Sequence, residues 1–550
     1  MCGPPPRTIP CFDEPANPCN LSKTNMLKHI TLPIIALIIW CNTAHAQLEV
    51  PTIFSDHMVM QRNQSIKVWG WSKPGDNITC TLSSQSTKTK ASADGIWSLQ
   101  FKEFPAGGPH QLTIQTNKES ITINDIYIGE VWLCSGQSNM AMKVGGVLDA
   151  KTEISSANYP AIRMFTESSP HATEPQNRCK GAWEVCSPET VSRFSATAYF
   201  FGRKLQQELD VPVGLINSSV GGTAIEAWTS MPAQNSNKTL KPMMLDFASQ
   251  DKEFNAEATN ARYQKSLARW EKTKAENANT KDKAQRKRLP RRPSLPTKPS
   301  AGKNYPSNLF NGKINPLIGY GIRGAIWYQG ERNSNGKFSG LYDQQLDTLI
   351  TDWRQRWGTP ELPFAWVQLP NFRALQTEPS EPSGWVNVRE GMLRALSIPQ
   401  TGMAITVDVG DATNIHPKNK QAVGARLARW ALVDVYDRGN KLTGGNVAMG
   451  PLFKSSQRAG DRINLKFSQV GTGLKSSKGP LQGFAVAGED RVFHWAEATV
   501  TGDNVSVGSK QVPKPVAVRY SWAANPLGNL TNSIGLPASP FRTDEWTDSQ

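Results

Sequence analysis

The chain has 550 residues, 38% hydrophobic and 19% charged, which is enough for a large apolar core and more than one domain. Its 17 Trp, 19 Phe and 10 Tyr exclude low-complexity disorder as the main state, and no apolar run reaches the roughly 18 residues of a membrane-spanning helix. The net charge of +15 is concentrated in residues 262–303, which hold 14 Lys or Arg and 3 Asp or Glu. Because the rest of the chain is nearly neutral, we expect no nucleic-acid-binding face.

The first 46 residues predict a targeting segment. Met26-Leu27-Lys28 begins a basic region, residues 30–41 (ITLPIIALIIWC) are apolar, and Ala44-His45-Ala46 fits a signal-peptidase site. We therefore expect residues 1–46 to be upstream sequence and signal peptide, with Gln47 starting the mature chain. The mature protein would then have no membrane span and a periplasmic or secreted location.

Four of the eight cysteines, Cys80, Cys134, Cys179 and Cys186, remain after this cleavage. They form no CxxC motif and no Cys/His cluster, so the sequence predicts no metal site. Cys179 and Cys186 lie seven residues apart and could form a disulfide in an oxidising compartment. Two separate buried thiols are the alternative, and the sequence alone leaves both open.

Two regions have the alternating pattern of β-strands. Residues 47–125 predict an N-terminal β-sandwich domain, since QSIKVWGW, HQLTIQTN and SITIND alternate apolar and polar residues between turn-forming sequences. Residues 438–550 predict a C-terminal β region and tail, because the pattern returns in RINLKFS, GFAVAG and PVAVRYSW.

Residues 126–437 predict one α/β domain. Short apolar runs alternate there with helical patterns such as Ala196–Leu209, which favours a parallel sheet with helices on both faces. The predicted strands are Val131–Cys134, Val213–Ile216, Ile322–Tyr328, Phe364–Leu369 and Gly402–Val407.

The stretch 250–304 interrupts this pattern. Its first part is rich in Ala, Lys and Glu, and its second part, RKRLPRRPSLPTKPS, is basic and Pro-rich. We interpret it as a solvated insertion that catalysis does not need. The alternative is a contact for an acidic surface or a polysaccharide.

Polar residues follow four of the predicted strands. In open α/β sheets, ligands bind beyond the carboxyl ends of the strands, so we expect these residues to converge. They are Ser138, the pair Gly221 and Gly222, the cluster Gln329, Glu331 and Asn333, and the pair Asp411 and His416. Together they supply what a serine hydrolase needs: a nucleophile, oxyanion donors, a base and an acid that orients the base.

The catalytic pair is predicted from position. Ser138 is the nucleophile, and His416 is the base because it alone among the histidines of the mature chain follows a predicted central strand. The acid that orients His416 stays open. Asp411, five residues earlier on the same loop, is favoured on geometry. Glu331, at the end of a neighbouring strand, is the rival, and Asp408 comes third. A relay without a carboxylate is the remaining possibility.

The oxyanion donors are predicted from chemistry. Gly221 and Gly222 allow close approach of the backbone, with an N–H group aimed at the developing negative charge. The side-chain amide of Gln329 or Asn333 is the candidate for a further donor.

Four blocks, GEVWLCSGQSNM, SSVGGTAIEAW, IWYQGERN and IHPKNKQAVGARLA, resemble those of bacterial sialate O-acetylesterases, serine esterases of the SGNH-hydrolase superfamily. The resemblance covers nearly the whole mature chain. It implies a flavodoxin-like three-layer α/β/α SGNH hydrolase domain with an N-terminal β-sandwich and a C-terminal β region. It also implies no metal or other cofactor, an acetylated sugar as substrate, Ser138 as nucleophile, His416 as base, and Gly221 or Gly222 with Gln329 as oxyanion donors.

Two positions depart from these blocks. Arg332 stands where the third block usually has a small residue, and Asn414 stands where many members have Asp. The resulting hypothesis is an exported esterase that removes O-acetyl groups from sialic acids. The alternatives are an acetylesterase for another glycan, such as acetyl xylan or pectin, and a non-catalytic carbohydrate-binding protein. The sequence indicates no oligomeric state.

Overall fold

The structure is a computed structural model that describes residues 47–280, 282 and 285–547. The predicted signal peptide lies outside the described residues. No helix within these ranges has the length and apolar character needed to cross a bilayer.

Seven strands precede the first helix. They are β1 (Val59–Gln61), β2 (Ile66–Trp71), β3 (Asn77–Leu82), β4 (Gln85–Lys90), β5 (Ile96–Phe101), β6 (Gly107–Gln115) and β7 (Ser120–Gly136). β2 pairs with β5, while β3, β4, β6 and the start of β7 form a second antiparallel arrangement. Alternate residues of β2 and β3 are buried, as their period of two predicts.

The strand β7 crosses the predicted domain boundary at Asp125. Its first half pairs with β6 and its second half lies in the central sheet, so the N-terminal β region and the α/β region share one continuous sheet. Asp125 itself has a φ of 53°, and its carboxylate binds Arg163 at 2.5 Å and His57 at 2.6 Å. These contacts hold Asp125 at its positive φ between the two halves of the strand.

The central part alternates strands and helices. Its elements are α1 (Ser138–Ala141), α2 (Ala150–Ser155), β8 (Tyr159–Thr166), β9 (Trp183–Cys186), α3 (Ala196–Leu209), β10 (Val213–Ser219), α4 (Met231–Ser236), α5 (Lys241–Lys252), α6 (Ala256–Asn279), β11 (Gly324–Tyr328), α7 (Tyr342–Trp357), β12 (Phe364–Val367), α8 (Gly384–Arg394), β13 (Thr401–Ala404) and α9 (Lys420–Trp430). β8, β10, β7, β11, β12 and β13 lie side by side in that order, all parallel.

The parallel strands that the sequence predicts are therefore present, and the antiparallel β9 beside β8 makes the sheet mixed. β8 and β9 were not predicted. When this pair is set aside, the remaining strands follow the chain order 2-1-3-4-5. β10 lies on one side of β7, and the later strands β11, β12 and β13 lie on the other side. Such a topological switch point is where α/β sheets bind ligands.

Helices cover both faces of this sheet. Trp132 on β7 packs against Phe201 of α3 and Trp430 of α9. Trp327 on β11 pairs with Ser135 of β7, and Ser135 lies three residues after Trp132. Because side chains alternate along a strand, Trp327 points to the face of the sheet opposite to that of Trp132. There it packs against Trp353 of α7. The predicted alternation of strands and helices is thus a three-layer arrangement with large aromatic side chains between the layers.

The insertion is largely outside the core. No residue of α6 is buried, and the described chain after it folds back along the helix, with Trp270 Nε1 donating to the carbonyl of Pro290 at 2.7 Å. Lys303, near the C-terminal end of the insertion, differs, because its Nζ donates to the carbonyl of Gly221 at 2.8 Å. The segment predicted to be dispensable therefore reaches a candidate site residue at its C-terminal end.

The C-terminal strands are β14 (Leu452–Ala459), β15 (Arg462–Ser468), β16 (Leu474–Ser476), β17 (Phe484–Ala487), β18 (Phe493–Trp495), β19 (Glu497–Thr501), β20 (Asn504–Gly508), β21 (Ala517–Tyr520), β22 (Leu530–Asn532) and β23 (Phe541–Arg542). Leu465, Val507 and Phe541 belong to an apolar core of their own. The tail is nevertheless joined to the central part, because buried Arg389 of α8 donates to the carbonyls of Ala523 and Ala524.

The cysteines Cys80, Cys134, Cys179 and Cys186 are buried free thiols. Cys179 Sγ lies 3.5 Å from Thr52 Oγ1, whereas Cys186 lies in β9 near the carbonyl of Ala157. The structure thus has the two separate thiols and not the disulfide. Burial raises the pKa of Cys186 to about 12, so this thiol is a poor nucleophile at neutral pH.

Candidate active site

Ser138 is the first residue of α1, two residues after the end of β7. Gly136 has a φ of 138°, and a Cβ atom there would lie 2.2 Å from the carbonyl oxygen of Tyr328. Only glycine therefore lets β7 end so close to β11. The N–H of Gln137 donates to the same carbonyl at 2.9 Å. The serine is thus held at the carboxyl edge of two central strands.

His416 lies on the loop between β13 and α9. Its Nε2 is 2.8 Å from Ser138 Oγ, so the structure brings the predicted nucleophile and base into hydrogen-bond contact. Burial, together with the positive charge of Lys420, lowers the pKa of His416. The imidazole is then neutral at pH 7, which is the form that accepts the serine proton.

Neither predicted carboxylate lies where the relay would need it. Asp411 is exposed, and its Oδ1 accepts from the N–H groups of Thr413 at 2.9 Å and Asn414 at 3.1 Å. Glu331 is buried and accepts from the side-chain amides of Gln137 and Asn139. Within the described residues, no carboxylate is hydrogen-bonded to the ring of His416. The correction has a local cause: Asp411 closes its own Asx turn.

The loop of His416 is instead held through its backbone. The N–H of His416 donates to Asn414 Oδ1 at 3.0 Å. The carbonyl of Ile415 accepts from Asn139 Nδ2 at 3.0 Å. Because Asn139 directly follows Ser138, one side chain links the segment of the nucleophile to that of the base.

Lys420 is a residue of this site that the sequence interpretation missed. It is fully buried on α9, and its Nζ donates to Asn139 Oδ1 at 2.6 Å. Burial lowers its pKa to about 7, against the opposing effect of Glu331. A signal was available, because Lys420 stands three and seven residues before Val423 and Leu427, on the apolar face of the helix.

We predict that Lys420→Met moves the acidic limb of the pH profile of kcat/KM to higher pH. The charge of Lys420 opposes protonation of His416, so its removal raises the pKa of His416 and the base is lost at a higher pH than in the wild type. The measurement is kcat/KM on a small acetate ester from pH 4 to 8. Exposed Lys418, two residues earlier, is the matched control, and Lys418→Met is expected to leave the limb in place. An unmoved limb in a folded Lys420→Met enzyme would contradict the prediction.

The two glycines predicted as oxyanion donors lie on the loop after β10. A Cβ atom on Gly221 would lie 3.4 Å from Ser138 Cβ, so this glycine lies directly against the nucleophile. In the described part of the chain, no hydrogen bond uses the N–H of Ser138 or of Gly221. Gly222 has a φ of 70° and a Cβ there would contact nothing, so its role is to form the turn.

The side chains predicted as oxyanion donors are already engaged. Gln329 Nε2 donates to the carbonyl of Thr223 at 2.9 Å and to Asn333 Oδ1 at 2.7 Å. Asn333 Nδ2 donates to buried Glu226 at 2.9 Å. These amides hold the loop after β10 against the end of β11. In the structure they thus support the loop that carries Gly221, and their role as oxyanion donors stays a prediction.

Comparison with known proteins identifies the family. The model of the family "Carbohydrate esterase, sialic acid-specific acetylesterase" matches residues 128–275 and 308–432. A sialate O-acetylesterase from Rattus norvegicus is 30% identical over 88% of this chain and 92% of its own. The chain belongs to this esterase family. The family match leaves out residues 276–307, which include the basic, Pro-rich half of the insertion.

Other relatives agree. A sialate O-acetylesterase from Homo sapiens is 28% identical over 92% of this chain and 95% of its own. The crystal structure of a carbohydrate acetylesterase from Xanthomonas citri is 33% identical, with a TM-score of 0.76, and the match covers 91% of this chain and all of that one. The protein is therefore an esterase, and of the predicted family the assignment to sialate O-acetylesterases is confirmed. Among the described residues, no group of three or more His, Cys, Asp or Glu could hold a metal ion.

Proposed function

We propose that this esterase removes O-acetyl groups from sialic acids through a Ser138–His416 dyad. The observation that carries the proposal is the 2.8 Å contact between Ser138 Oγ and His416 Nε2 at the switch point of the sheet. The relatives that match nearly the whole chain are sialate O-acetylesterases, and they supply the substrate class.

The reaction follows from the geometry. Ser138 Oγ attacks the acetyl carbonyl while His416 Nε2 takes its proton. The N–H groups of Ser138 and Gly221 donate to the oxyanion of the tetrahedral intermediate. His416 then returns the proton to the sugar oxygen, and the sugar leaves as its alcohol. Water, deprotonated by His416, attacks the acetyl-enzyme, and acetate and free Ser138 result.

A dyad is proposed because, in the part of the chain that the structure describes, no carboxylate is hydrogen-bonded to the ring of His416. Hydrogen bonds from Asn139 to the carbonyl of Ile415 and from the N–H of His416 to Asn414 fix the loop. Burial of the ring limits its rotation further. In this arrangement Asn414, at the position where relatives often have Asp, acts on the backbone and not on the imidazole.

The fold class and location belong to the same proposal. The order 2-1-3-4-5 of the central strands is that of flavodoxin-like sheets, which supports the three-layer SGNH assignment. The apolar stretch at residues 30–41, followed by Ala44-His45-Ala46, supports export to the periplasm or beyond.

The test is acetate release from defined O-acetylated sialic acids, acetyl xylan and acetylated pectin, measured side by side. We expect the highest kcat/KM on the acetylated sialic acids. Faster release from xylan or pectin would overturn the proposed substrate and leave the esterase chemistry in place. The Ser138→Ala enzyme is included in every assay, and its rate of acetate release is subtracted as the non-enzymatic background.

A further inference from the structure

Arg332 lies beside the active site, and its positive charge is not paired with a neighbouring carboxylate of the described residues. It lies between buried Glu331 and buried Asn333, yet its own side chain is exposed. Over the described ranges, its guanidinium makes no hydrogen bond and no ion pair. The charge of Arg332 is thus not neutralised by a direct contact with another side chain that the structure describes.

Lys303 adds a second cation next to the nucleophile. Its Nζ donates to the carbonyl of Gly221 at 2.8 Å, and Gly221 lies against Ser138. Burial lowers the pKa of Lys303, and the positive charges of Arg291 and Arg332 lower it further. The positive groups thus act on one another at the edge of the active site, where an anion would relieve their repulsion.

Arg332 also lines a cleft of about 460 Å³, together with Ala224 of the loop after β10 that carries Gly221. The rings of Phe247 and Phe338 line the same cleft. Aromatic rings and a few polar groups around a concave space are typical of small-molecule sites.

The two carboxylates that line this cleft, Asp246 and Glu226, are not bound to Arg332. Asp246 pairs with Lys337 at 2.5 Å. Glu226 is buried behind Asn333; burial raises its pKa, and the positive charge of Arg332 opposes that rise without a hydrogen bond between the two side chains. Since no acidic side chain of the lining is bound to Arg332, its positive charge is available to a ligand.

We propose that Arg332, with Lys303, forms an anion subsite that binds the carboxylate of an acidic sugar while the acetyl ester faces Ser138. The body of the sugar would lie in the cleft between Phe247 and Phe338. Arginine suits this role because its planar fork can donate two parallel hydrogen bonds to one carboxylate. The inference rests on the proposed function for the acetyl chemistry, and it extends that function by naming the residues that select charged over neutral sugars.

The first test compares an O-acetylated sialic acid with its carboxylate methyl ester. The methyl ester keeps the acetyl group and removes the charge. We expect the wild-type enzyme to prefer the acid, and Arg332→Gln to lower that preference by about 10- to 100-fold, the usual effect of losing a charge-assisted hydrogen bond. The loss should appear mainly in KM, and Arg332→Lys should recover part of it. Exposed Arg458, on β14, is the matched control, and Arg458→Gln should retain the wild-type preference.

The second test does not need hydrolysis of a sialic acid. Free N-acetylneuraminic acid and its methyl ester are assayed as inhibitors of a chromogenic acetate ester. Stronger inhibition by the acid than by the methyl ester, lost in Arg332→Gln, supports the subsite. This result would stand even if acetylated sialic acids were not hydrolysed, because failure to hydrolyse them would refute only the proposed substrate. Equal inhibition by acid and methyl ester, or an unchanged preference in folded Arg332→Gln, would overturn the inference.

Discussion

Ser138→Ala is expected to lower kcat on acetate esters by about 10⁶-fold, the loss that follows removal of a nucleophilic serine in comparable enzymes. The hydroxyl of Ser138 is the group hydrogen-bonded to His416, and its loss leaves the backbone N–H groups of the site in place. The folded state should persist, since the side chain is only partly buried and the change removes a single oxygen atom. The measurement is single-turnover and steady-state hydrolysis of a chromogenic acetate ester, with circular dichroism as the folding check.

A second serine at the same edge of the sheet provides the control. Ser219 ends β10 and its hydroxyl donates to Asn217 Oδ1 at 2.7 Å, so Ser219→Ala should stay within a few-fold of the wild type. A serine-reactive phosphonate should label the wild-type enzyme at Ser138 alone. Retained turnover in Ser138→Ala, or labelling of another serine, would refute the assignment.

His416→Ala is expected to cost about as much as loss of the serine, because nucleophile and base act as a unit and their effects do not add. Without the imidazole, Ser138 Oγ has no acceptor for its proton and the leaving sugar oxygen has no donor. The double variant Ser138→Ala, His416→Ala should therefore be no slower than either single one. His494→Ala, on β18, controls for the loss of a histidine and should be near normal.

Asp411→Asn distinguishes the dyad from a triad. Asparagine keeps an oxygen for the N–H groups of Thr413 and Asn414, so the loop should survive and kcat should fall by only a few-fold. In a Ser-His-Asp relay, the same change to the acid costs about 10⁴-fold. A loss of that size in Asp411→Asn would show that Asp411 orients His416 during turnover and would refute the dyad. The same size of loss in Glu331→Gln, with Asp411→Asn normal, would favour the rival carboxylate.

Much of the fold follows from local pattern. The helix predicted over Ala196–Leu209 begins and ends at those residues, where Ser195 accepts from the N–H of Ala198 as an N-cap. The buried strands β10 and β11 coincide with apolar runs bounded by polar turns. Such runs are predictable because a strand buried on both faces needs apolar side chains at every position. β8 and β9 carry polar and aromatic interruptions, and for that reason their sequence did not indicate strands.

Side-chain partners were harder to predict. Gln329 and Asn333 follow a central strand as an oxyanion donor would, yet their amides bind Thr223 and Glu226, more than 100 residues earlier in the chain. Cys179 and Cys186 are close in sequence but pack against different neighbours, Thr52 and Ala157. Sequence spacing sets how far a side chain can reach, and it does not say which of several reachable partners it meets.

The sequence by itself determined the parallel sheet, the strand ends that carry the chemistry, and the assignment to an acetylesterase family. These depend on hydrophobic periodicity and on short motifs, both of which are local. Only the tertiary structure decided that no carboxylate among residues 47–280, 282 and 285–547 is hydrogen-bonded to His416, that Lys420 is buried against Asn139, and that Lys303 returns to Gly221. Each of these depends on which polar atoms meet when distant segments pack. Because a buried polar group is stable only beside its partner, that outcome belongs to the whole fold and to no single stretch of sequence.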